Sequence, residues 1–164
     1  VNERFAKAVV EEAKTDDPVI LVQDYHFALL PKMVREKLPN ATIIMFWHIP
    51  WANAESFGIC PWRQEILEGL LGSSILGFHT RVHCNNFIDC VDRILEARID
   101  RNSSTVSYGG KMTAVNPYPI SIEWPLQWLR DQPPAAIFSA KTLLSMPVSK
   151  NTKLACGFDA MGRP

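Results

Sequence analysis

The sequence has no excess of either charge, since 17 basic residues balance 17 acidic ones. A chain without a surplus of Lys and Arg lacks the electrostatic footprint of proteins that bind nucleic acid or anionic membranes. Long hydrophobic runs are missing too: the longest apolar stretch, residues 41–51, is too short to span a bilayer and contains His48. The first residues carry no signal-peptide pattern. We therefore expect a cytoplasmic protein whose partners are neither nucleic acid nor a membrane.

Cysteine is scarce, and the familiar cofactor motifs are absent. The four cysteines form no CxxC pair, which predicts reduced, mostly buried thiols and no disulfide framework; they are Cys60, Cys84, Cys90 and Cys156. His79 and His83 lie near two of them, but no complete set of four ligands occurs at structural-zinc spacing. The dinucleotide-binding GxGxxG, the P-loop, GxSxG and HExxH are also missing. We expect neither a metal nor a cofactor.

The chain contains four short apolar runs, rich in β-branched residues, which alternate with longer segments of helical period. The predicted strands are residues 19–22, 42–47, 74–78 and 112–115, and the predicted helices cover 3–14, 29–38, a segment opened by Pro61, and a segment capped by Thr80 that runs to residue 97. This alternation predicts right-handed β-α-β units, and hence an α/β fold with a mainly parallel sheet. The second run is apolar without alternation, which predicts burial on both faces.

Two later segments are less regular. Residues 100–111 are polar and contain two adjacent glycines, which predicts a hairpin-like excursion or a loop before the last strand. From Pro117 the chain becomes rich in proline, which indicates an extended segment that crosses toward another domain.

Polar residues follow every predicted strand. Ligands of open α/β sheets bind at the carboxyl ends of the strands, so these residues are candidates for a site. They are Gln23-Asp24-Tyr25-His26, His48-Ile49-Pro50-Trp51, His79-Thr80 and Asn116-Pro117-Tyr118-Pro119. Five tryptophans lie near these ends or in the crossing segment, where they either stack on sugar rings or belong to the core; they are Trp47, Trp51, Trp62, Trp124 and Trp128.

Asp24 and His48 are the strongest candidates, and each has a structural alternative. Asp24 can accept hydrogen bonds from sugar hydroxyls or act on a proton in a partly desolvated pocket, but Asp24 or His26 can equally cap the helix that follows. The imidazole of His48 can hydrogen-bond sugar oxygens, or it can simply satisfy backbone groups at a strand end. Two polar side chains at neighbouring strand ends favour a pocket.

A series of motifs makes the sequence resemble the trehalose-6-phosphate synthase family. The resemblance is nearly continuous over residues 1–124, and several motifs in order are far more specific than one. The motifs are Val1-Asn2 with Phe5-Ala6, Gln23-Asp24-Tyr25-His26, Phe46-Trp47-His48-Ile49-Pro50-Trp51, Glu55-Ser56-Phe57, Arg63-Gln64-Glu65-Ile66-Leu67, Gly69-Leu70-Leu71-Gly72, Gly77-Phe78-His79-Thr80 and Asn116-Pro117-Tyr118-Pro119-Ile120-Ser121-Ile122.

The resemblance implies a retaining glycosyltransferase of the two-domain type called GT-B, which transfers glucose from a nucleotide sugar to glucose 6-phosphate without a required metal. Its donor would be UDP-glucose or GDP-glucose. By resemblance, Asp24 matches the aspartate that binds the acceptor sugar. His48 matches the histidine of the family's HIP motif near the transferred glucose, and Ile49 lies where the α-anomer is selected.

The resemblance also assigns parts of the chain to domains. Residues 1–124 would be the rear part of the N-terminal, acceptor-side Rossmann-like domain, residues 125–150 a proline-containing crossing segment, and residues 151–164 the start of a truncated donor-side domain. The chain begins without Met and ends on Gly-Arg-Pro, and Ala160 stands where the family has a phosphate-binding arginine. We therefore expect an incomplete portion of the enzyme that is inactive alone.

A non-enzymatic alternative is an inactive fragment that binds a sugar phosphate or pairs with another protein. Such a fragment would associate with a full-length relative through the surface that a missing domain leaves bare. The residues leave open whether copies of the chain also associate with one another.

Overall fold

Helices and strands alternate over residues 1–121, the part of the chain that the structure, a computed structural model, describes. The helices are α1 (Asn2–Glu12), α2 (Leu30–Lys37), α3 (Ala54–Gly58), α4 (Arg63–Leu70) and α5 (Arg81–Ile94), and a 3-10 turn (Tyr25–Phe27) precedes α2. The strands are β1 (Val19–Gln23), β2 (Thr42–Phe46), β3 (Ile75–Phe78), β4 (Arg98–Asp100), β5 (Thr105–Tyr108) and β6 (Lys111–Pro117). The predicted segments 125–150 and 151–164 lie outside the described residues, as do Cys156, Trp124 and Trp128.

The strands form one sheet in the order β1-β2-β3-β6-β5-β4. The first three pairings are parallel, while β4 and β5 add an antiparallel extension beside β6. The α/β class with a mainly parallel sheet is thus confirmed. Residues 100–111 belong to the hairpin and not to an open loop, because β5 returns antiparallel to β4 and pairs again with β6.

The helices between the parallel strands lie on one face of the sheet. β1, β2, β3 and β6 are successive neighbours, and right-handed crossovers that advance in one direction put their helices on the same side. In agreement, α2 packs against α4, and α4 against α5. The prediction that residues 42–47 are buried on both faces is wrong: Ile43 and Met45 are buried, whereas Ile44 and Phe46 are only half-buried. The described residues cover only one of the two faces.

Close contact between α2 and α4 fixes the position of the chain after β1. A Cβ atom at Gly72 would lie 2.3 Å from the backbone nitrogen of Lys32, and one at Gly69 would lie 2.5 Å from the carbonyl oxygen of Ala28. Only glycine allows the backbones to approach this closely. The Lys32 ammonium also lies 2.7 Å from the Glu68 carboxylate, which joins the same two helices.

The ends of two predicted helices differ from the structure by a few residues. The Thr80 hydroxyl accepts a hydrogen bond from the backbone N–H of His83, so its predicted role as an N-cap is confirmed. The helix ends at Ile94 and not at residue 97, because Arg98 already pairs in β4. The first helix ends at Glu12, two residues before the predicted end. None of the helices in residues 1–121 has the length and apolar character needed to cross a membrane.

Candidate functional site

The carboxyl ends of the four parallel strands form one edge of the sheet. Gln23 of β1 is in register with Phe46 of β2, which is in register with Gly77 of β3, and Gly77 with Asn116 of β6. Backbone hydrogen bonds continue this alignment past the strand ends, for example from Asp24 N–H to the Phe46 carbonyl at 2.8 Å. Residues that follow each strand are therefore held side by side.

Asp24 has a rare backbone conformation for a residue with a side chain. Its φ of 71° and ψ of 167° lie in a region that only glycine adopts easily, and holding another residue there costs roughly 1–3 kcal/mol. Asp24 Oδ1 accepts a hydrogen bond of 3.3 Å from the backbone N–H of His48. Strained residues that the surrounding structure holds in place are typical of functional sites.

The capping alternative for Asp24 is wrong. Asp24 occupies the position before the 3-10 turn, but its side chain makes no capping hydrogen bond to that turn. Its carboxylate instead reaches across to His48, which follows β2. The second oxygen, Oδ2, lies 3.8 Å from Nδ1 of His26. The Asp24 side chain is about one-fifth exposed, so solvent or a ligand can reach the carboxylate.

His48 follows β2 and is exposed, and its ring contacts side chains. Nε2 of His48 lies 2.7 Å from Oε1 of Gln23. The ring lies edge-to-face against Phe46, with centroids 4.7 Å apart, and against His79, with centroids 5.8 Å apart. The alternative that this imidazole only satisfies backbone groups is wrong, because its hydrogen bond goes to a side chain. Ile49, which follows it, is 43% exposed.

Sequence reasoning missed two features of this edge. One is the contact between Gln23 and His48, since the sequence does not say which polar side chains meet. The other is Gly77, where a Cβ atom would lie 2.8 Å from the ring of Tyr118 and 2.9 Å from the ring of Phe46. The pattern Gly-Phe-His after an apolar run is the signal that marks Gly77. Its missing side chain lets the two rings close over β3.

The described tryptophans belong mainly to the core. Trp47 and Trp51 are buried and meet edge-to-face with centroids 4.9 Å apart. The Trp51 indole N–H donates a hydrogen bond of 3.3 Å to the sulfur of Cys90. Trp62 is 66% exposed in the loop before α4. The core interpretation therefore holds for Trp47 and Trp51.

The cysteines of α5 are packed in the core. Cys84 and Cys90 are free and buried, and Cys60 is partly exposed. Burial raises the pKa of both the Cys84 and the Cys90 thiols, which keeps them protonated and makes them poor ligands. Within residues 1–121, no three His, Cys, Asp or Glu side chains come together as a group that could hold a metal ion.

One groove on the described part of the chain lies away from the strand ends. It has a volume of about 540 Å³ and runs between α1 and α2. Apolar side chains, including Ala6 and Met33, form its floor, and charged side chains of both signs line its rim. Specific ligand sites need a few convergent polar groups. Asp24, His48 and Gln23 provide such a group at the sheet edge.

The geometry supports binding of a hydroxylated ligand at this edge. A carboxylate accepts hydrogen bonds from hydroxyl groups, and a neutral imidazole both donates and accepts them. Asp24 and His48 end adjacent parallel strands and are joined by a hydrogen bond, so one small molecule can contact both. The predicted pair of site residues is thus brought together, and Ile49 lies beside it. Their roles toward a ligand stay a prediction.

A family model and several known proteins are similar to this chain. The model of glycosyltransferase family 20 matches residues 1–161. The chain is 41% identical over 123 residues to a putative alpha,alpha-trehalose-phosphate synthase (UDP-forming) 106 kDa subunit of Schizosaccharomyces pombe, covering 75% of this chain and 13% of that protein. It is 39% identical over 120 residues to validamine 7-phosphate valienyltransferase of Streptomyces hygroscopicus, covering 71% of this chain and 24% of that protein.

Two solved structures with names related to those of these relatives share the fold of this chain. A structure described as trehalose-6-phosphate from E. coli bound with UDP-2-fluoro glucose matches with a TM-score of 0.68 and 29% identity, over 74% of this chain and 27% of the other. An alpha,alpha-trehalose-phosphate synthase (UDP-forming) from Burkholderia xenovorans, in complex with glucose-6-phosphate, matches with a TM-score of 0.67 and 26% identity, over 74% and 28%. The chain spans from 13% to 28% of the length of these four proteins. With a family match over nearly its whole length, the chain belongs to glycosyltransferase family 20.

Proposed function

We propose that this chain carries part of the acceptor side of a trehalose-6-phosphate synthase, a cytoplasmic retaining transferase of the GT-B type. The reaction transfers glucose from a nucleotide sugar, UDP-glucose or GDP-glucose, to glucose 6-phosphate and gives trehalose 6-phosphate. The observation that carries the proposal is the pairing of Asp24 with His48 at adjacent strand ends in a chain of this family. The relatives described as UDP-forming favour UDP-glucose as the donor.

Asp24 binds the acceptor sugar in this proposal. Its Oδ1 accepts the His48 backbone N–H, and the remaining lone pairs of the carboxylate accept sugar hydroxyl protons. Hydrogen bonds to a charged group are stronger than those between neutral groups, by roughly a factor of two. The strained backbone fixes the carboxylate before the ligand arrives, which reduces the ordering cost of binding.

His48 and Ile49 act on the donor at the same edge of the sheet in this proposal. The His48 imidazole hydrogen-bonds oxygens of the transferred glucose, and the half-exposed Ile49 side chain selects the α-anomer by its shape. Positive charge develops at the sugar ring in the transition state, so exclusion of water around the bound sugars would strengthen every polar contact to them. The donor phosphates would be held by parts of a family enzyme beyond the quarter that this chain represents.

Binding of glucose 6-phosphate to the full chain tests the acceptor site. Titration followed by ¹H–¹⁵N NMR should shift the backbone signals around Asp24 and His48. The Asp24→Asn variant keeps an oxygen that can accept the His48 N–H but removes the charge, and we expect its Kd to rise about fivefold to thirtyfold, equivalent to roughly 1–2 kcal/mol. The matched control is Asp16→Asn, since Asp16 is exposed in the bend before β1. Equal affinity in both variants would remove Asp24 from the site.

Nucleotide release tests catalysis. The full chain is incubated with glucose 6-phosphate and with UDP-glucose or GDP-glucose, and free nucleotide is measured. We expect no acceptor-dependent release from the chain alone. Release that requires acceptor would mean that a second copy completes the donor site, and comparison with cyclitol phosphates would then define the acceptor, since the valienyltransferase relative is named for one.

The surface of β1 favours the second candidate function, a non-enzymatic interaction module. β1 lies at the edge of the sheet that the described residues form, and Val19 and Leu21 on its uncovered face are 69% and 67% exposed. Exposed apolar residues on an edge strand favour association with another chain. Self-association in sedimentation experiments without glucose 6-phosphate binding would favour this function over the enzymatic one.

A further inference from the structure

Two consecutive residues at the end of β1 contact His48, which follows β2. Side chains alternate between the two faces of a regular strand, so Gln23 and Asp24 would be expected to point in opposite directions. The φ of 71° at Asp24 breaks this alternation. It rotates the Cβ atom about the N–Cα bond by roughly half a turn from the position in a strand with φ of about −120°. Both side chains then reach His48.

The two contacts hold different parts of His48. Asp24 Oδ1 accepts the backbone N–H at 3.3 Å, and Gln23 Oε1 lies 2.7 Å from the ring nitrogen Nε2. An amide oxygen only accepts hydrogen bonds. A hydrogen bond between these two atoms requires the proton on Nε2, and in that tautomer of the neutral ring Nδ1 keeps a free lone pair.

We propose that Gln23 is a positioning residue that fixes the ring of His48 and keeps its proton on Nε2, so that Nδ1 is the atom that accepts a hydrogen bond from a sugar hydroxyl. The part concerning the sugar rests on the proposed function. The part concerning the ring is independent of it. In this tautomer the fixed ring presents the lone pair of Nδ1 to the sugar hydroxyl in one direction.

Packing around the ring supports this role. Phe46 and His79 lie edge-to-face against His48, with centroids 4.7 and 5.8 Å away. Phe46 and His79 also meet each other, with centroids 5.0 Å apart. These neighbours restrict rotation of the ring. Within residues 1–121 the ring hydrogen-bonds only to Gln23, so we expect the choice of protonated nitrogen to depend on Gln23.

The protonation of His48 can be read directly from ring ¹⁵N chemical shifts. The full chain is labelled at histidine nitrogen, measured at about pH 8.5 where imidazoles are neutral, and assigned with a His48→Gln variant. We expect a protonated Nε2 and an unprotonated Nδ1 in the unmodified chain. Gln23→Leu removes the acceptor and should give averaged shifts of mixed tautomers, whereas Gln23→Glu retains an acceptor and should restore the original pattern.

Gln64→Leu is the matched control. Gln64 also uses its side-chain amide in an exposed hydrogen bond, to Glu68 at 3.0 Å on α4, so this variant should leave the His48 spectrum unchanged. Gln23 is exposed, and its variants are expected to fold normally. A proton on Nδ1 in the unmodified chain, or an unchanged spectrum in Gln23→Leu, would overturn the proposal.

Ligand affinity tests the second part. The Kd values for glucose 6-phosphate and for UDP-glucose are measured by NMR titration in the same variants. Loss of one oriented hydrogen bond predicts about twofold to tenfold weaker binding of the affected ligand in Gln23→Leu, and recovery in Gln23→Glu. Altered ring shifts with unchanged affinities would refute the role of Nδ1 in binding. Altered ring shifts without binding in any variant, including the unmodified chain, would refute the proposed function and leave the positioning role intact.

Discussion

Replacement of Asp24 by glycine and by alanine separates strain from hydrogen bonding. Asp24 holds φ 71° and ψ 167°, a conformation that costs a residue with a Cβ atom roughly 1–3 kcal/mol and costs glycine almost nothing. Alanine keeps that strain and loses the 3.3 Å hydrogen bond to His48, which contributes about 0.5–1.5 kcal/mol. Glycine loses the same bond but relieves the strain.

The difference in stability between the two variants follows from these opposing effects. Glycine also makes the unfolded chain more flexible, which costs roughly 0.4–1 kcal/mol relative to alanine. We therefore expect Asp24→Gly to be more stable than Asp24→Ala by about 0.5–2 kcal/mol, and to lie within about 2 kcal/mol of the unmodified chain. Both variants should lose affinity for glucose 6-phosphate, because both lack the carboxylate.

Urea unfolding followed by tryptophan fluorescence measures the difference, since Trp47 and Trp51 are buried and change environment on unfolding. The control is the same pair of substitutions at Asp17, an exposed residue of a bend whose φ is not positive. There glycine should be no more stable than alanine. Equal stability of Asp24→Gly and Asp24→Ala would refute the strain at Asp24.

Three further predictions concern packing, pH and thiol reactivity. Gly77→Ala would place a Cβ atom 2.8 Å from the ring of Tyr118, so urea unfolding should show a free energy of unfolding that is lower by about 1–3 kcal/mol. Gly58 has open space around it, so the control Gly58→Ala should change the free energy of unfolding little. A hydrogen bond from Lys32 lowers the pKa of Glu68, so their interaction stabilises the fold above the unfolded carboxyl pKa and is lost as the pH falls through the lowered folded value. The unmodified chain should therefore be more stable than Glu68→Gln near neutral pH, and this difference in unfolding free energy should shrink between about pH 6 and pH 3. A difference that stays constant over this range would contradict the prediction. Alkylation followed by peptide mass mapping should modify Cys60 before the two thiols of α5, because burial raises the pKa of the latter, and earlier modification of the α5 thiols would contradict their burial.

The bounds of the parallel strands follow from patterns that the sequence contains locally. Apolar runs such as 19–22 and 42–47 predicted β1 and β2 within one residue of their observed ends, because period and β-branching act on the residues themselves. Right-handed crossovers then left few ways to arrange them. The polar residues 100–111 did not show this regularity, and only their pairing with β6 made them a hairpin.

Burial and side-chain contacts depended on the tertiary structure. The apolar run 42–47 indicated a strand covered on both faces, but the described helices cover one face, which no local pattern encodes. A regular strand would point Gln23 and Asp24 to opposite faces, whereas the backbone at Asp24 turns both toward His48. The roles of these residues toward substrates, and the domain boundaries at 124 and 150, stay predictions.

By itself the sequence determined the α/β class, the succession of parallel strands and longer helices along the chain, and the membership in glycosyltransferase family 20, because periodicity and motifs are properties of residues close together in the chain. Only the tertiary structure decided that Gln23 and Asp24 converge on His48, and that Gly77 leaves room for the rings beside it. The physical reason is that strand register and backbone conformation bring together atoms that are more than twenty residues apart, and these contacts set the direction of each polar group.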